Sequence, residues 1–297
     1  MSADASGATN TSENRGQLYI VATPIGNLQD FTMRAIEVLQ NVDVIAAEDT
    51  RHSRKLLMHY GINTACVALH EHNEREQIAK ISAMLLDKKK VALISDAGTP
   101  LVSDPGYQLV HHCVQHGIRV VPVPGASAAI AALCAAGLPS DRFCFEGFAP
   151  AKSAARLQAL QARQYESATL IYYLSPHRWQ PTLQDMVTVF GAEREAVLAR
   201  EISKIHETFY RDTLQGILQW MEQYPQQQKG EMVLLVAGNR DAVDAAISEQ
   251  SSQWLRLLLK EMSPSRASAL LAEMLGVPKK SLYQMALQIQ DKNGSGE

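Results

Sequence analysis

Residues 91–125, VALISDAGTPLVSDPGYQLVHHCVQHGIRVVPVPG, contain one complete strand–helix–strand unit. The segments VALISD (91–96) and RVVPVP (119–124) are short and almost continuously apolar, which is typical of strands covered on both faces of a sheet. Between them, residues 105–117 place a proline near the start and a glycine past the end of a predicted helix. The unit therefore predicts a parallel sheet with helices packed on both of its faces.

The same alternation continues on both sides of this unit. Before it, predicted strands at 17–23, 42–48 and 66–70 alternate with predicted helices at 31–40, 50–61 and 73–86. After about residue 140, strands are predicted at 142–147, 169–174, 196–201, 207–213 and 230–238. Because the strands at 196–201 and 207–213 follow each other closely, a hairpin and a mixed sheet are expected there.

The alternation predicts an α/β protein with two α/β domains and a helical C-terminal segment. A chain of 297 residues suits about two domains. The predicted parts are a disordered tail at 1–16, a first domain at 17–139, a second domain at 140–240 and a helical segment at 248–297. Three short helices are predicted in that last segment, and the final two flank Gly276 with helix-turn-helix spacing.

Charge and composition exclude several classes of protein. The chain has 28 Lys and Arg against 31 Asp and Glu, a net charge of -3, which excludes a polybasic coat for long nucleic acid. Its most apolar stretch, 126–138, is shorter than the ~18 residues of a membrane span. No C-x-x-C pair occurs, and the pairs His70/His72 and His112/His116 have no third ligand at metal spacing, so no metal is expected.

Three turns rich in small residues follow predicted strands of the first domain: ATPIGN (22–27), SDAGTPLVSDPG (95–106) and VPGASAA (123–129). In an open α/β sheet, ligands bind at the carboxyl ends of the strands. None of the turns is a G-x-G-x-x-G or P-loop motif, which disfavours a dinucleotide or a kinase-type nucleotide. Together they favour a nucleoside-like ligand, although each alone is compatible with an ordinary strand-to-helix turn. The residues predicted to bind it are Pro24, Gly26, Asp96, Gly98, Thr99, Pro100, Ser103, Ala126 and Ser127.

The segment AAEDTRHSRK (46–55) combines two carboxylates with several cations. Glu48 and Asp49 end a predicted strand, and Arg51 and Arg54 follow at the start of a helix, where cations oppose the helix dipole. Departures from local rules often mark functional sites. The alternative is a solvated helix end that Asp49 helps to cap.

A second group of cations follows strands of the second domain, in SPHR (175–178) and REISKIHE (200–207). We expect Arg178, Arg200, Lys204 and His206 to form a positive rim that faces the first domain. Ordinary surface charge is the equally simple alternative.

The chain contains six segments that point to one family: residues 21–51, LISDAGTPLVSDPGY, VVPVPGASA, FCFEGFAPAK, SPHR and KGEMVLLV. In this order they resemble the small-subunit rRNA methyltransferases of the tetrapyrrole methylase superfamily, and the likeness covers about 17–240. The resemblance implies two α/β domains with S-adenosylmethionine in the cleft between them. It also implies a cytoplasmic homodimer that methylates the 2'-oxygen of a cytidine ribose in the decoding region of 16S rRNA, at the P site, within the 30S subunit.

The implied reaction assigns roles to the charged residues. Methyl transfer from a sulfonium is an in-line displacement, so positioning dominates. A ribose hydroxyl also needs a base or a nearby cation, worth ~10²–10⁴-fold in rate. The predicted catalytic residues are Glu48 or Asp49 as base, with Arg51 and Lys204 holding the flanking phosphates. The predicted substrate-binding residues are Arg54, Arg178, Arg200 and His206. A methyltransferase for a small tetrapyrrole and a non-catalytic ribosome-binding protein are the alternatives.

Overall fold

The protein is seen in a computed structural model that describes residues 15–70, 73–239, 251–275 and 279–294. Five parallel strands form the first sheet, in the order β3-β2-β4-β1-β5. These strands are β1 (Gln17–Val21), β2 (Val44–Ala47), β3 (Cys66–Ala68), β4 (Lys90–Ile94) and β5 (Arg119–Val123). The helices that join them in turn are α1 (Met33–Asn41), α2 (Thr50–His59), α3 (Glu74–Leu86) and α4 (Tyr107–Gln115).

Apolar residues cover both faces of the first sheet. On one face, residues of α1 and α2 such as Leu39 and Leu57 pack on Ile45 and Ile94. On the other face, residues of α3 and α4 such as Leu85 pack on the remaining side chains of the same strands. Successive side chains of a strand point to opposite faces, so continuously apolar strands are what a sheet covered on both sides requires.

The second sheet has five strands in the order β6-β7-β10-β8-β9 and is mixed. β6 and β7 are parallel, whereas β10 is antiparallel to both of its neighbours and β8 and β9 form an antiparallel pair. The strands are β6 (Phe143–Phe148), β7 (Thr169–Leu174), β8 (Glu195–Arg200), β9 (Thr208–Thr213) and β10 (Met232–Val236). The helices α6 (Ser153–Gln161), α7 (Trp179–Phe190) and α8 (Leu214–Gln223) contribute to the core on one face of this sheet. The predicted α/β class, with a parallel first sheet and a mixed second sheet, is confirmed.

The helix α5 (Ala128–Ala136) follows β5 in the chain but packs on the second sheet. Its buried residues, among them Ala132 and Leu133, contact Ile171 and Leu235 of β7 and β10. The strands of the first sheet lie before residue 140, where the division is predicted, and those of the second sheet lie after it. Packing, however, groups α5 with the second half, so the chain crosses between the two cores just before residue 128.

The ends of the chain differ in part from the predictions. Residues 1–14 of the predicted disordered tail lie outside the described residues. Gly16, at the end of that predicted tail, is ordered: it is buried, and its N–H donates to the Leu85 carbonyl over 2.7 Å. A Cβ at this position would lie 1.8 Å from the Lys89 carbonyl oxygen, so the fold begins here and requires glycine.

The C-terminal segment has a small core of its own. Residues 251–258 (α9), α10 (Pro264–Leu275) and α11 (Lys279–Gly294) are helical, and Leu255, Leu271 and Leu282 meet between them. The predicted turn at Gly276 and residues 248–250 and 295–297 lie outside the described residues. Among the described helices, none has both the length and the apolarity to span a membrane.

Candidate active site

The three small-residue turns meet at the carboxyl edge of the first sheet. The backbones of Thr23 and Gly98 exchange two hydrogen bonds, of 2.8 and 3.1 Å. The Thr99 hydroxyl donates to the Ala126 carbonyl over 3.0 Å, which joins the second turn to the third. The third turn also lies close to the first, because a Cβ at Gly125 would be 2.9 Å from the Ala22 Cβ. Small residues are therefore needed here for the turns to touch.

A cavity of about 460 Å³ lies between these turns and the second sheet. This volume is within the ~300–1,000 Å³ of typical small-molecule sites. The first half contributes Ile25, Ala97, Gly98, Thr99, Val102, Ser103, Asp104, Ser127 and Ala128. The second half contributes Phe148, Tyr173, Leu174, Pro176, Ile202, Gly230, Glu231, Met232 and Val233. Most of these side chains are apolar, so the cavity suits a ligand with a flat apolar portion and a few polar groups.

A smaller cavity of about 280 Å³ adjoins the first. The two share Ile25, Ala97 and Glu231 as wall residues, so they meet at a common boundary. The rest of the smaller cavity is more polar and is lined by Pro24, Gly26, Leu28, His52, Ser53, Lys55, Leu56, Ser95, Asp96 and Lys204. The site therefore has two connected compartments.

Three carboxylates lie near one another here: Asp104 lines the larger cavity, Asp96 lines the smaller one, and Glu48, which lines neither, lies next to Asp96. The Asp96 N–H points at the Glu48 carboxylate over 3.4 Å, and the Asp49 N–H donates to the Asp96 carboxylate over 3.2 Å. Burial raises the pKa of Glu48, and the neighbouring Asp96 carboxylate raises it further. Burial also raises the pKa of Asp104, and the charges of Glu48 and Asp96 raise it further, to about 6. A hydrogen bond from the Ser95 side chain lowers this pKa and offsets part of the rise. Glu48 is thus poised to accept a proton closer to neutral pH than an exposed glutamate.

Asp49 has a structural role in this geometry. It is the N-cap of α2, and its carboxylate accepts from the Arg51 N–H over 2.8 Å. The Arg51 guanidinium lies 3.1 Å from the same carboxylate, and these hydrogen bonds hold the pKa of Asp49 at about 2. Such an acid is a poor proton acceptor at neutral pH, which favours the helix-cap interpretation over a role as base. Arg51 itself is 90% exposed and remains accessible to a large substrate.

The loop at 201–207 closes the site from the second half. Lys204 lies across Gly26, where a Cβ would be 2.4 Å from the Lys204 Cγ. Its ammonium pairs with Glu201 at 2.9 Å and with Glu231. Burial lowers the pKa of Lys204, but the hydrogen bonds to Glu231 and Glu201 raise it by more. The Ser203 hydroxyl also donates to the Asp30 carboxylate in the first half. Lys204 therefore lines the smaller cavity as a cation already neutralised by two acids.

The chain matches proteins of known family over nearly its whole length. Residues 17–218 match the family described as Tetrapyrrole (Corrin/Porphyrin) Methylases, and residues 245–290 match the RsmI C-terminal HTH domain. The ribosomal RNA small subunit methyltransferase I of Escherichia coli O157:H7 is 52% identical over 277 residues, which are 93% of this chain and 96% of that protein. The protein of the same name from Pseudomonas aeruginosa is 54% identical over 279 residues, 94% of this chain and 99% of its own. The chain belongs to the ribosomal RNA small subunit methyltransferase I family.

Solved structures share the fold at low identity. A diphthine synthase superposes with a TM-score of 0.59 at 16% identity and covers 75% of this chain and 90% of its own. A uroporphyrin-III C-methyltransferase from Thermus thermophilus, described as complexed with S-adenyl homocysteine, gives a TM-score of 0.53 at 16% identity and covers 77% of this chain and 100% of its own. These likenesses support the tetrapyrrole methylase fold for both halves of the chain.

The predicted cofactor residues fall into three groups. Gly98, Thr99, Ser103 and Ser127 line the larger cavity, whereas Pro24, Gly26 and Asp96 line the smaller one. Pro100 and Ala126 line neither cavity: Pro100 is buried, and the Ala126 carbonyl accepts the hydrogen bond from Thr99. The structure thus brings the predicted residues to one place but divides them between two compartments.

Of the four residues predicted to form a positive rim, one is buried. Arg200 is 9% exposed, and its guanidinium donates to the carbonyls of Lys229, over 2.6 Å, and His206, over 3.3 Å. Arg200 therefore stabilises the loop 201–207 through buried hydrogen bonds and is not available to a phosphate. This corrects its predicted substrate-binding role. His206 and Arg54 are exposed and Arg178 is partly exposed.

Sequence reasoning missed two groups of wall residues. Asp104 lies in the loop 95–106, yet the only polar residues of that loop predicted to bind are Asp96, Thr99 and Ser103. Glu231 and Met232 belong to the quoted segment KGEMVLLV, but the segment alone does not show that its start faces the other half. In the described part of the chain, no group of three or more His, Cys, Asp or Glu is arranged to hold a metal ion. His112 instead contacts Ser82 over 3.0 Å and stacks on His116, while His72 lies outside the described residues.

Proposed function

We propose that this chain is an S-adenosylmethionine-dependent methyltransferase that acts on ribosomal RNA of the small subunit. The observation that carries the proposal is the pair of adjoining cavities. The larger, mostly apolar one suits the donor, and the smaller, polar one suits the reacting part of the acceptor. Relatives at about 50% identity over nearly the full chain are named ribosomal RNA small subunit methyltransferase I.

The residues of the larger cavity fit the donor. Gly98 has a φ of +81°, and a Cβ there would lie 3.3 Å from the Ile25 Cγ2, so glycine keeps the wall open to a flat ring. Thr99, Ser103 and Asp104 offer hydroxyl and carboxylate groups for polar parts of the donor. When bound, S-adenosylmethionine supplies a methyl group carried on a positively charged sulfur.

The chain's own residues position and activate the acceptor. Ile25, Ala97 and Glu231 line both compartments, so a donor in one and an acceptor in the other would be adjacent. An in-line displacement needs the acceptor oxygen, the methyl carbon and the sulfur to be held in such proximity. Glu48, whose pKa is raised by burial, is our candidate for the group that accepts the proton of the acceptor hydroxyl. Arg51 and Arg54 are neighbours in the chain of His52, Ser53 and Lys55, which line the smaller cavity. Both arginines and His206 are exposed and are our candidates to bind phosphates that flank the acceptor.

We further propose that the acceptor is the 2'-oxygen of a cytidine ribose in the decoding region of 16S rRNA, at the ribosomal P site. The resemblance of the quoted motifs supports this finer assignment, and so does a cleft with exposed cations at its rim. A cytoplasmic location and a homodimer belong to the same proposal.

The test offers the purified protein labelled S-adenosylmethionine with 30S subunits, naked 16S rRNA or a porphyrinogen in parallel. Label on RNA, followed by nuclease digestion to a 2'-O-methylcytidine, is the expected result. Label on the porphyrinogen alone would favour the small-tetrapyrrole alternative. Binding to 30S subunits without transfer of label to any acceptor would favour the non-catalytic alternative.

The helical segment at 251–294 has its own role in this proposal. Lys279 and Lys280 lie at the start of α11, and a helix-turn-helix can present such residues to phosphates. Leu255, Leu271 and Leu282 show that the segment also packs as a small core. Deleting 248–297 is expected to weaken RNA binding and flatten its salt dependence, with S-adenosylmethionine affinity unchanged. An unchanged KM for 30S subunits would assign the segment to packing alone.

A further inference from the structure

Asp104 lines the larger cavity without a cationic partner. Within the described part of the chain, no Lys, Arg or His forms an ion pair with it, whereas Glu231, the other acid of the same wall, is paired with Lys204. Asp104 is half-buried and accepts a hydrogen bond from the Ser95 side chain. A half-buried carboxylate without a countercharge is unfavourable in the free protein, so its presence at a ligand wall requires a reason.

The backbone around Asp104 is strained in a way that fixes this position. Leu101 and Ser103 have φ angles of 73° and 68°, which side chains with a Cβ rarely adopt. Gly106 has a φ of +120°, and a Cβ there would lie 2.6 Å from the Leu93 Cδ2, so the loop is pressed onto the sheet just after Asp104. Strain of this kind persists where the surroundings hold it, and it is concentrated at ligand sites.

Asp104 also lies near the boundary between the two cavities. Its charge interacts with Glu48 and Asp96, and Asp96 lines the smaller cavity next to Ala97, which lines both cavities. Tyr173 of β7 faces it from the second half, and burial raises the pKa of that phenol, so it adds no charge at neutral pH. Near the shared walls, Asp104, Asp96 and Glu48 therefore outnumber the lysines of the smaller cavity, Lys55 and Lys204, and Lys204 is already paired with two acids. In the proposed function, this boundary is where the methyl group would pass from donor to acceptor.

The two forms of the cofactor differ in charge at this point. The methyl donor has a sulfonium cation, whereas the product left after transfer is a neutral thioether. A carboxylate beside the sulfur stabilises the first form and not the second. We propose that Asp104 is a specificity-determining residue that makes the cavity prefer the cationic donor over the neutral product. The inference rests on the proposed function, since it takes S-adenosylmethionine as the ligand.

The consequence is a bias in the order of events at the site. Before transfer, the negative wall retains the donor. After transfer, the positive charge is gone, and the same wall again holds an uncompensated carboxylate. This cost favours release of the product and exchange for a new donor molecule.

Calorimetry at pH 8 with the full chain tests the idea. The probes are S-adenosylmethionine, S-adenosylhomocysteine and sinefungin, whose protonated amine replaces the methylsulfonium. Asp104→Asn and Asp104→Ser are expected to reduce affinity for both cationic probes relative to the neutral one by about tenfold, which corresponds to an interaction worth about one pKa unit. Asp104→Glu keeps the charge, so its ratio of affinities for the cationic and neutral probes is expected to stay within about threefold of wild type, well short of the tenfold loss expected when the charge is removed.

Two controls make the outcome specific. Asp141→Asn removes the same charge from an exposed position outside the cavity and should leave all three affinities unchanged. Asp96→Asn removes a neighbouring charge that lines the other compartment and should change the ratio less than Asp104→Asn. A folded Asp104→Asn or Asp104→Ser variant with the wild-type ratio overturns the inference alone. A wild-type protein that binds none of the three probes overturns the inference together with the proposed function.

Discussion

Alanine at Gly98 separates the cost of backbone strain from the cost of filling the cavity, because the chain offers a matched glycine elsewhere. Gly98 and Gly137 have nearly the same left-handed φ, +81° and +82°. A Cβ at Gly98 would lie 3.3 Å from the Ile25 Cγ2, in the wall of the larger cavity, whereas one at Gly137 would meet no atom within 4 Å. Gly98→Ala and Gly137→Ala therefore share the strain, and only Gly98→Ala alters the cavity.

The expected sizes follow from these two contributions. An alanine in a left-handed conformation lowers the free energy of unfolding by about 1–2 kcal/mol. Because alanine restricts the unfolded chain more than glycine does, about 0.4–1 kcal/mol of that loss is recovered. Both variants should therefore lose about 1 kcal/mol of stability and show similar thermal midpoints. The new methyl group of Gly98→Ala also occupies space that the ligand would fill, and if packing the ligand against it costs about 1–3 kcal/mol, S-adenosylmethionine should bind about 5- to 160-fold more weakly.

Calorimetry and thermal unfolding of the two variants, measured side by side, check the reasoning. Gly137→Ala should retain wild-type affinity. If Gly98→Ala also retained it, the turn at 95–106 would not be part of the cofactor wall. If Gly137→Ala lost as much affinity as Gly98→Ala, the effect would be a general consequence of lower stability.

Three other substitutions give distinct results. Glu48→Gln should lower the single-turnover methylation rate by about 10²-fold or more with S-adenosylmethionine affinity unchanged, and a wild-type rate would make Glu48 structural. Arg200→Met should lower the free energy of unfolding by about 2–4 kcal/mol by leaving buried carbonyls unpaired, whereas exposed Arg54→Met should stay within about 0.5 kcal/mol; equal effects would contradict the buried role. Asp104→Asn should stabilise the protein at pH 7 but not at pH 4. The pKa of Asp104 is about 6 in the folded protein and lower in the unfolded chain, so the stability of the wild type falls as the pH rises between these two values. A pH-independent difference in melting temperature between the two proteins would contradict this assignment.

Local patterns were sufficient for most of the fold. The apolar runs at 91–96 and 119–124 correspond to β4 and β5, and the short spacing between 201 and 207 corresponds to the antiparallel pair of β8 and β9. These features are set by residues close together in the chain. The meeting of the three turns was also predictable, because parallel strands end at the same edge of their sheet.

Features that depend on distant chain segments were not predictable in the same way. Arg200 looks like a surface cation until the carbonyls of Lys229 and His206 are seen to surround it. Lys204 looks free until Glu231, far along the chain, is placed beside it. Both cases have one cause: the sequence shows the type of a charged side chain but not the partners that surround it.

The packing of α5 on the second sheet means that the two halves are interlocked rather than merely adjacent. A fragment that ends at residue 139 would carry a helix whose apolar side, including Ala132 and Leu133, belongs to a core it lacks. The short segment between β5 and α5 holds Ala126 and Ser127, which contact the neighbouring turn and the larger cavity. A ligand in that cavity therefore contacts the segment through which the chain passes from the first core to the second. Its binding should oppose separation of the two cores.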